Sequence, residues 1–147
     1  MPTITMRVRG SEQLRRNLDR LGGAQRRQAQ RDGLEAGARV VETHAKVSMS
    51  GSKHGRTYTR GNREHTASAP GEAPAIDIGN LVNSIQVFEA TPIRAIVGTA
   101  AEYAQHLEFG TSRMEPRPFL RPALDEHEGE IVDAVEAAVR DFVESIR

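Results

Sequence analysis

Apolar and polar residues alternate from Thr3 to Arg9 (Thr-Ile-Thr-Met-Arg-Val-Arg), the period of a strand with one buried face, and Gly10 ends the run. Ser11 then stands where a helix N-cap belongs, and Leu14, Leu18 and Leu21 fall on one helical face before Gly22-Gly23 breaks the pattern. From Ala24 to about Met49 there is no proline, and Leu34, Ala38, Val41 and Ala45 recur at helical spacing, which predicts one long helix. Its Gly33, Ala36, Gly37 and Ala38 are too small to fill space, so a neighbouring element is expected to approach closely there.

Between Ser50 and Ala75 the aliphatic signal almost vanishes, while Gly51, Gly55, Gly61, Gly71, Pro70 and Pro74 punctuate the segment. We read it as an extended, flexible basic loop that orders on a partner. Beyond Gly79, Asn80 to Ser84 reads as a helical turn or the start of a strand. Ile85 to Glu89 alternates, Thr91-Pro92 breaks the run, and Ile93 to Gly98 resumes it as the second arm of a β-hairpin. Ala101 to Leu107 predicts two helical turns ending near Gly110. Pro116, Pro118 and Pro122 then stiffen the chain in an extended form. From Pro122 onward, Leu124, Ile131, Val135, Val139, Phe142 and Ile146 describe the apolar stripe of one long C-terminal helix. The pattern predicts an α+β fold in which a small antiparallel sheet, the N-terminal strand plus the hairpin, packs against the long central and C-terminal helices. We expect one domain over residues 1–147, with the basic loop at about 50–75.

Composition narrows the chemistry. The 147 residues include no Cys, which excludes disulfides, thiolate metal sites and a cysteine nucleophile. With 37% hydrophobic and 4% aromatic residues, the core is expected to be thin and to gain from neighbouring subunits. No apolar stretch approaches the ~20 residues of a membrane span, and the first residues lack a secretory apolar segment, so a soluble protein made in a cytoplasm is expected.

The formal net charge of zero conceals a division. Residues 1–70 hold fourteen basic and six acidic side chains (+8), and residues 71–147 hold six and fourteen (−8). Such a chain suits docking of a positive surface on a neighbour's negative one, and its basic half suits nucleic acid; folding of the halves against each other would instead cancel the charge locally. In the loop, Lys53, Arg56, Arg60 and Arg63 surround Tyr58, a candidate surface for DNA or a protein partner, although one ring supplies a single stacking platform.

Sites of catalysis are not apparent. His44, His54, His65, His106 and His127 lack metal-ligand spacing, and Glu102-x-x-x-His106 supplies one histidine where the zinc-protease helix needs two. There is no phosphate-cradling loop and no Gly-x-Ser-x-Gly elbow, and Glu126 and Glu130 read as solvated surface. We therefore expect no enzyme activity, no cofactor and no metal.

One block stands out: Tyr103-Ala104, then Glu108-Phe109-Gly110-Thr111, then Arg117-Pro118-Phe119-Leu120-Arg121-Pro122-Ala123. Upstream lie Ala67-Ser-Ala-Pro-Gly-Glu-Ala-Pro-Ala75, Gly79-Asn-Leu81 and Ser84-Ile85. Together, strongly over about residues 67–124, they resemble a phage tail-component family named for gene product ten of a lambdoid coliphage. Ala73 where the family carries proline, and Asp77-Ile78 before Gly79, are small departures. The resemblance implies a structural virion protein of the head-tail neck or tail, synthesised and assembled in the host cytoplasm. It implies a homo-oligomer, a hexameric ring around the DNA channel, with tail terminator, tail tube or head-closure proteins as partners and no membrane. The alternatives are a tail terminator capping the tube and a nucleic-acid-binding module using the basic half. Tyr103, Glu108, Phe109, Gly110, Thr111, Arg117, Pro118, Phe119, Arg121 and Pro122 are the candidate interface residues. Phe109 and Phe119 are suited to plug apolar pockets, and Glu108 has Arg117 and Arg121 as candidate ion-pair partners, within the subunit or across an interface.

Overall fold

A computed structural model describes residues 1–7 and 12–146. The expected strand residues Val8 and Arg9, its end at Gly10 and the helix cap at Ser11 lie outside them. Among the described residues eleven elements follow in order: β1 (Thr3–Met6), α1 (Glu12–Asp19), α2 (Gly23–Ser50), β2 (Thr57–Arg60), β3 (Arg63–Thr66), α3 (Asn80–Ser84), β4 (Ile85–Ala90), β5 (Ala95–Thr99), α4 (Ala104–Phe109), α5 (Leu120–Asp125) and α6 (Glu128–Ser145).

The central helix organises the α+β architecture. Leu34, Ala38, Val41 and Ala45 of α2 are all buried, as their spacing predicted, and α2 packs on β4 and β5, on α5, and along α6. Its small residues allow α6 to come close. A Cβ on Gly37 would stand 2.8 Å from Val135 Cγ2 and 2.7 Å from Met6 Cε, and one on Gly33 would stand 3.0 Å from Val139 Cγ2. Gly33 meets Val139 and Gly37 meets Ile131, so the two helices run antiparallel.

The sheet is antiparallel in the order β1-β5-β4, so the N-terminal strand pairs with the second arm of the hairpin. Thr3 lies opposite Gly98 and Met6 opposite Ala95. In the hairpin Val87 faces Val97 but Glu89 faces Ile96, which leaves Phe88 as the extra residue of a bulge, 40% exposed. One apolar cluster joins Met6, Ile85, Val97, Phe119 and Ile131 with the α2 stripe, and a smaller one joins Leu18 and Ala29 to Val139 beside Leu14, Leu21 and Phe142.

Two elements depart from expectation. The segment read as a structureless loop contains the hairpin β2–β3, in which Thr57 pairs with Thr66 and Arg60 with Arg63. Its strand residues are exposed or half-buried, so no apolar alternation betrayed it; the signal was Thr-Tyr-Thr before the two-residue turn Gly61-Asn62. The expected single C-terminal helix is two, α5 and α6, separated at Glu126-His127. Between Leu124 and Ile131 there is no apolar residue to hold a helical face down, Gly129 is a weak helix former, and carboxylates crowd the junction at Asp125, Glu126, Glu128 and Glu130. The stripe also ends differently: Val143 is buried whereas Ile146 is 43% exposed.

Candidate partner interface

Glu108, at the end of α4, is buried and makes no ion pair with Arg117 or Arg121, correcting the expected pairing within the subunit. Its carboxylate accepts the backbone N–H groups of Phe119 (2.8 Å) and Leu120 (3.1 Å) on one oxygen and of Arg121 (2.9 Å) on the other. The first turn of a helix leaves about four N–H groups without intrahelical partners. Here three go to Glu108, and the next residue, Pro122, has no N–H to satisfy. The prolines therefore do not keep the whole run extended. Pro122 lies in the first turn of α5, where its fixed φ suits a helix.

Gly110 makes the clasp possible. At φ +74° it takes a conformation that side chains resist, and a Cβ there would lie 2.8 Å from Met114 O and 2.9 Å from Pro116. The chain turns back through Thr111 and Met114, which pair as an isolated bridge, and Arg117 N–H then reaches Leu107 O at 2.6 Å.

The two separated motif segments meet. Arg117 Nε donates to Ser68 O (3.1 Å), and Gly71 N–H donates to Pro116 O (2.9 Å). Glu72 fastens the loop behind them, accepting from Ala69 N–H (2.8 Å) and His54 N–H (3.1 Å) and contacting the His54 ring. These bonds, the Ala69 amide first and then the His54 ring and amide, hold the Glu72 carboxyl down at about 2.

The aromatic residues separate into two kinds. Phe119 is fully buried and belongs to the core of its own subunit, whereas Phe109, the other ring suited to plug an apolar pocket, is 72% exposed. Tyr103 is 49% exposed and Ile78 69%. Tyr103 and Ile78 border a groove of about 540 Å³ lined also by Met49, Ile76, Leu107 and Met114. Thr111 and Arg121 are exposed, and Gly110, Arg117 and Pro118 are half-buried, so the candidate residues divide between an internal clasp and an outer rim.

The basic hairpin lies beside this groove, to which His65 contributes. Arg60 pairs with Asp77 (2.9 Å), and Lys53, its ammonium pKa lowered by partial burial, donates to Ser48 O (2.8 Å). Tyr58 packs edge-on against His65 with ring centroids 5.3 Å apart. Arg56 and Arg63 are exposed and have no acidic partner among the described residues. The charge division is tied across the two halves at His44–Glu130, His54–Glu72 and Arg60–Asp77, while Arg26, Arg39 and Lys46 pair locally.

A second constellation escaped the sequence. His44 of α2, His127 before α6 and Glu130 in its first turn offer one ligand atom each within 4.8 Å of one another. His127-x-x-Glu130 is a helical i, i+3 spacing, but nothing local ties it to His44.

The sequence profile of the family described as "Bacteriophage HK97-gp10, putative tail-component" matches residues 12–110, about two thirds of the chain, and the protein belongs to that family. The match includes the Pro-Gly-Glu loop and Glu108 but stops at Gly110, before the amides that Glu108 binds. No curated protein and no solved structure matches the chain. Among the described residues, no helix is long and apolar enough to cross a membrane.

Proposed function

We propose that this chain is a structural component of the head-tail neck, acting in tail completion and head-tail joining as a ring-shaped oligomer around the DNA channel. Membership of the tail-component family supplies the setting, and the observation that carries the reading is the exposure of Phe109 together with the exposed Tyr103 and Ile78 that border an open apolar groove. Burial of a Phe side chain is worth roughly 1.5–3 kcal/mol, so an exposed ring next to an open groove favours association. In a ring the contacts are head-to-tail, and a protruding Phe109 from one copy would enter the groove of the next. The opposed charges of the two sequence halves would steer that order. The hairpin, with Arg56 and Arg63 unpaired by acidic groups, would face the neighbouring tail or head protein, or the DNA in the lumen.

The test is a pair of surface variants, Phe109→Asp and Ile78→Asp, followed for incorporation into particles in a phage or prophage carrying the gene. Both variants should fold with an unchanged circular dichroism spectrum and be lost from purified particles. Normal incorporation of both would remove the groove from the interface. Salt dependence separates the competing nucleic-acid module: a module binds free DNA with an affinity that falls steeply with salt, whereas a ring component binds DNA weakly until assembled.

A further inference from the structure

We propose that His44, His127 and Glu130 form a zinc site that ties α2 to the start of α6. His44 comes from a position far from His127 and Glu130 in the chain, and one ligand atom of each of the three lies within 4.8 Å of the others. Tetrahedral zinc, with Zn–N and Zn–O bonds of about 2.0–2.2 Å, separates its ligand atoms by roughly 3.3–3.5 Å. Seating the ion takes side-chain rotations that also draw Glu130 back from its direct contact with His44. Two imidazoles and a carboxylate are a donor set that zinc prefers and that magnesium and calcium, which take oxygen ligands, do not.

His44 Nε2 contacts Glu130 Oε2, and the His44 and His127 rings stack with centroids 3.4 Å apart and planes 16° from parallel, so the rings must turn out of the stack for their in-plane lone pairs to converge on one ion. His127 Nδ1 lies 3.3 Å from Ala123 O; in the tautomer that donates there, Nε2 keeps its lone pair. Ligand histidines are commonly held in this way, by a backbone carbonyl on the other ring nitrogen. The side chains of His44 and Glu130 are 25% and 61% exposed, so an ion can enter from solvent and water can complete the fourth position. The positive pole of α6 opposes a cation, but Asp125, Glu126 and Glu128 at the same junction offset it.

Position gives the site a consequence. It sits at the break between α5 and α6, where the apolar stripe lapses. A metal bridging residues 44 and 127 closes a long loop and would hold the start of the last helix against the central one.

Untagged, metal-free full-length protein titrated with zinc chloride should bind one ion per chain by calorimetry. Its melting temperature should rise by ~5–10 °C at zinc concentrations 100-fold above Kd. Cobalt(II) should give the intense visible bands of a four-coordinate ion. His44→Gln, His127→Gln and Glu130→Gln should each weaken binding by at least ~10-fold, while His54→Gln and His106→Gln leave it unchanged. Absence of saturable binding, or binding that survives all three ligand variants, would overturn the site and leave an ion pair with a stacked ring.

Discussion

Phe109 and Phe119 show how much a single residue's role depends on contacts made elsewhere. Both are phenylalanines in one stiff motif, yet one is 72% exposed and the other fully buried. The difference arises at Glu108, which gathers the amides of 119–121 and so turns Phe119 into the core. Phe119→Ala should lower the unfolding free energy by ~3–5 kcal/mol, through lost transfer energy and the cavity left behind, measured by urea denaturation. Phe109→Ala should stay within ~0.5 kcal/mol in the isolated chain. Equal effects would mean that the two rings do not differ in burial. The candidate residues were legible in the sequence as a group because they cluster in a distinctive motif. Their division into clasp and rim was not, since it follows from the return of the chain at Gly110 and from the contacts of Arg117 with Ser68 and Leu107.

Among the elements, those whose apolar residues recur at the helical period were readable directly. Leu34, Ala38, Val41 and Ala45 placed α2, and Gly33 and Gly37 foretold the close approach of a neighbouring element, which the structure shows to be α6. The β2–β3 hairpin was missed because none of its strand residues is buried, and the break before α6 because a gap in a stripe is a weaker signal than the stripe itself. The segment leading into and out of that hairpin is latched by Glu72, and its behaviour with pH follows. The carboxyl lies at about 2 in the folded chain, below its ordinary 4.5, so folding favours the charged form. The contribution is present above about pH 4.5 and is lost as pH falls through about 2. The protection of the His54 and Ala69 amides against hydrogen exchange, taken relative to the intrinsic rate at each pH, should therefore fall across that acid window. In Glu72→Gln the same amides should already exchange faster at neutral pH, with the acid step removed. An acid step retained in the variant would place the latch elsewhere.

At the scale of the whole molecule, a small core closed by a clasp stands beside an open groove and a cationic hairpin. The tail-component family gives these features a common setting, and in the assembly we propose a neighbour would cover Ile78 and Phe109, which are exposed in the single chain. The two halves are joined by the Arg60–Asp77 ion pair and by the contacts of His44 with Glu130 and of His54 with Glu72, and Arg56 and Arg63 have no acidic partner among the described residues. Our central claim is that this chain completes its structure by joining copies of itself within a particle. The most direct measurement is its mass in dilute solution, by native mass spectrometry, together with its copy number and position in purified particles by electron cryomicroscopy. We predict a monomer in dilute solution and a hexameric ring at the head-tail neck. A chain that is missing from the particles, or present there as isolated single copies away from the neck, would contradict the account.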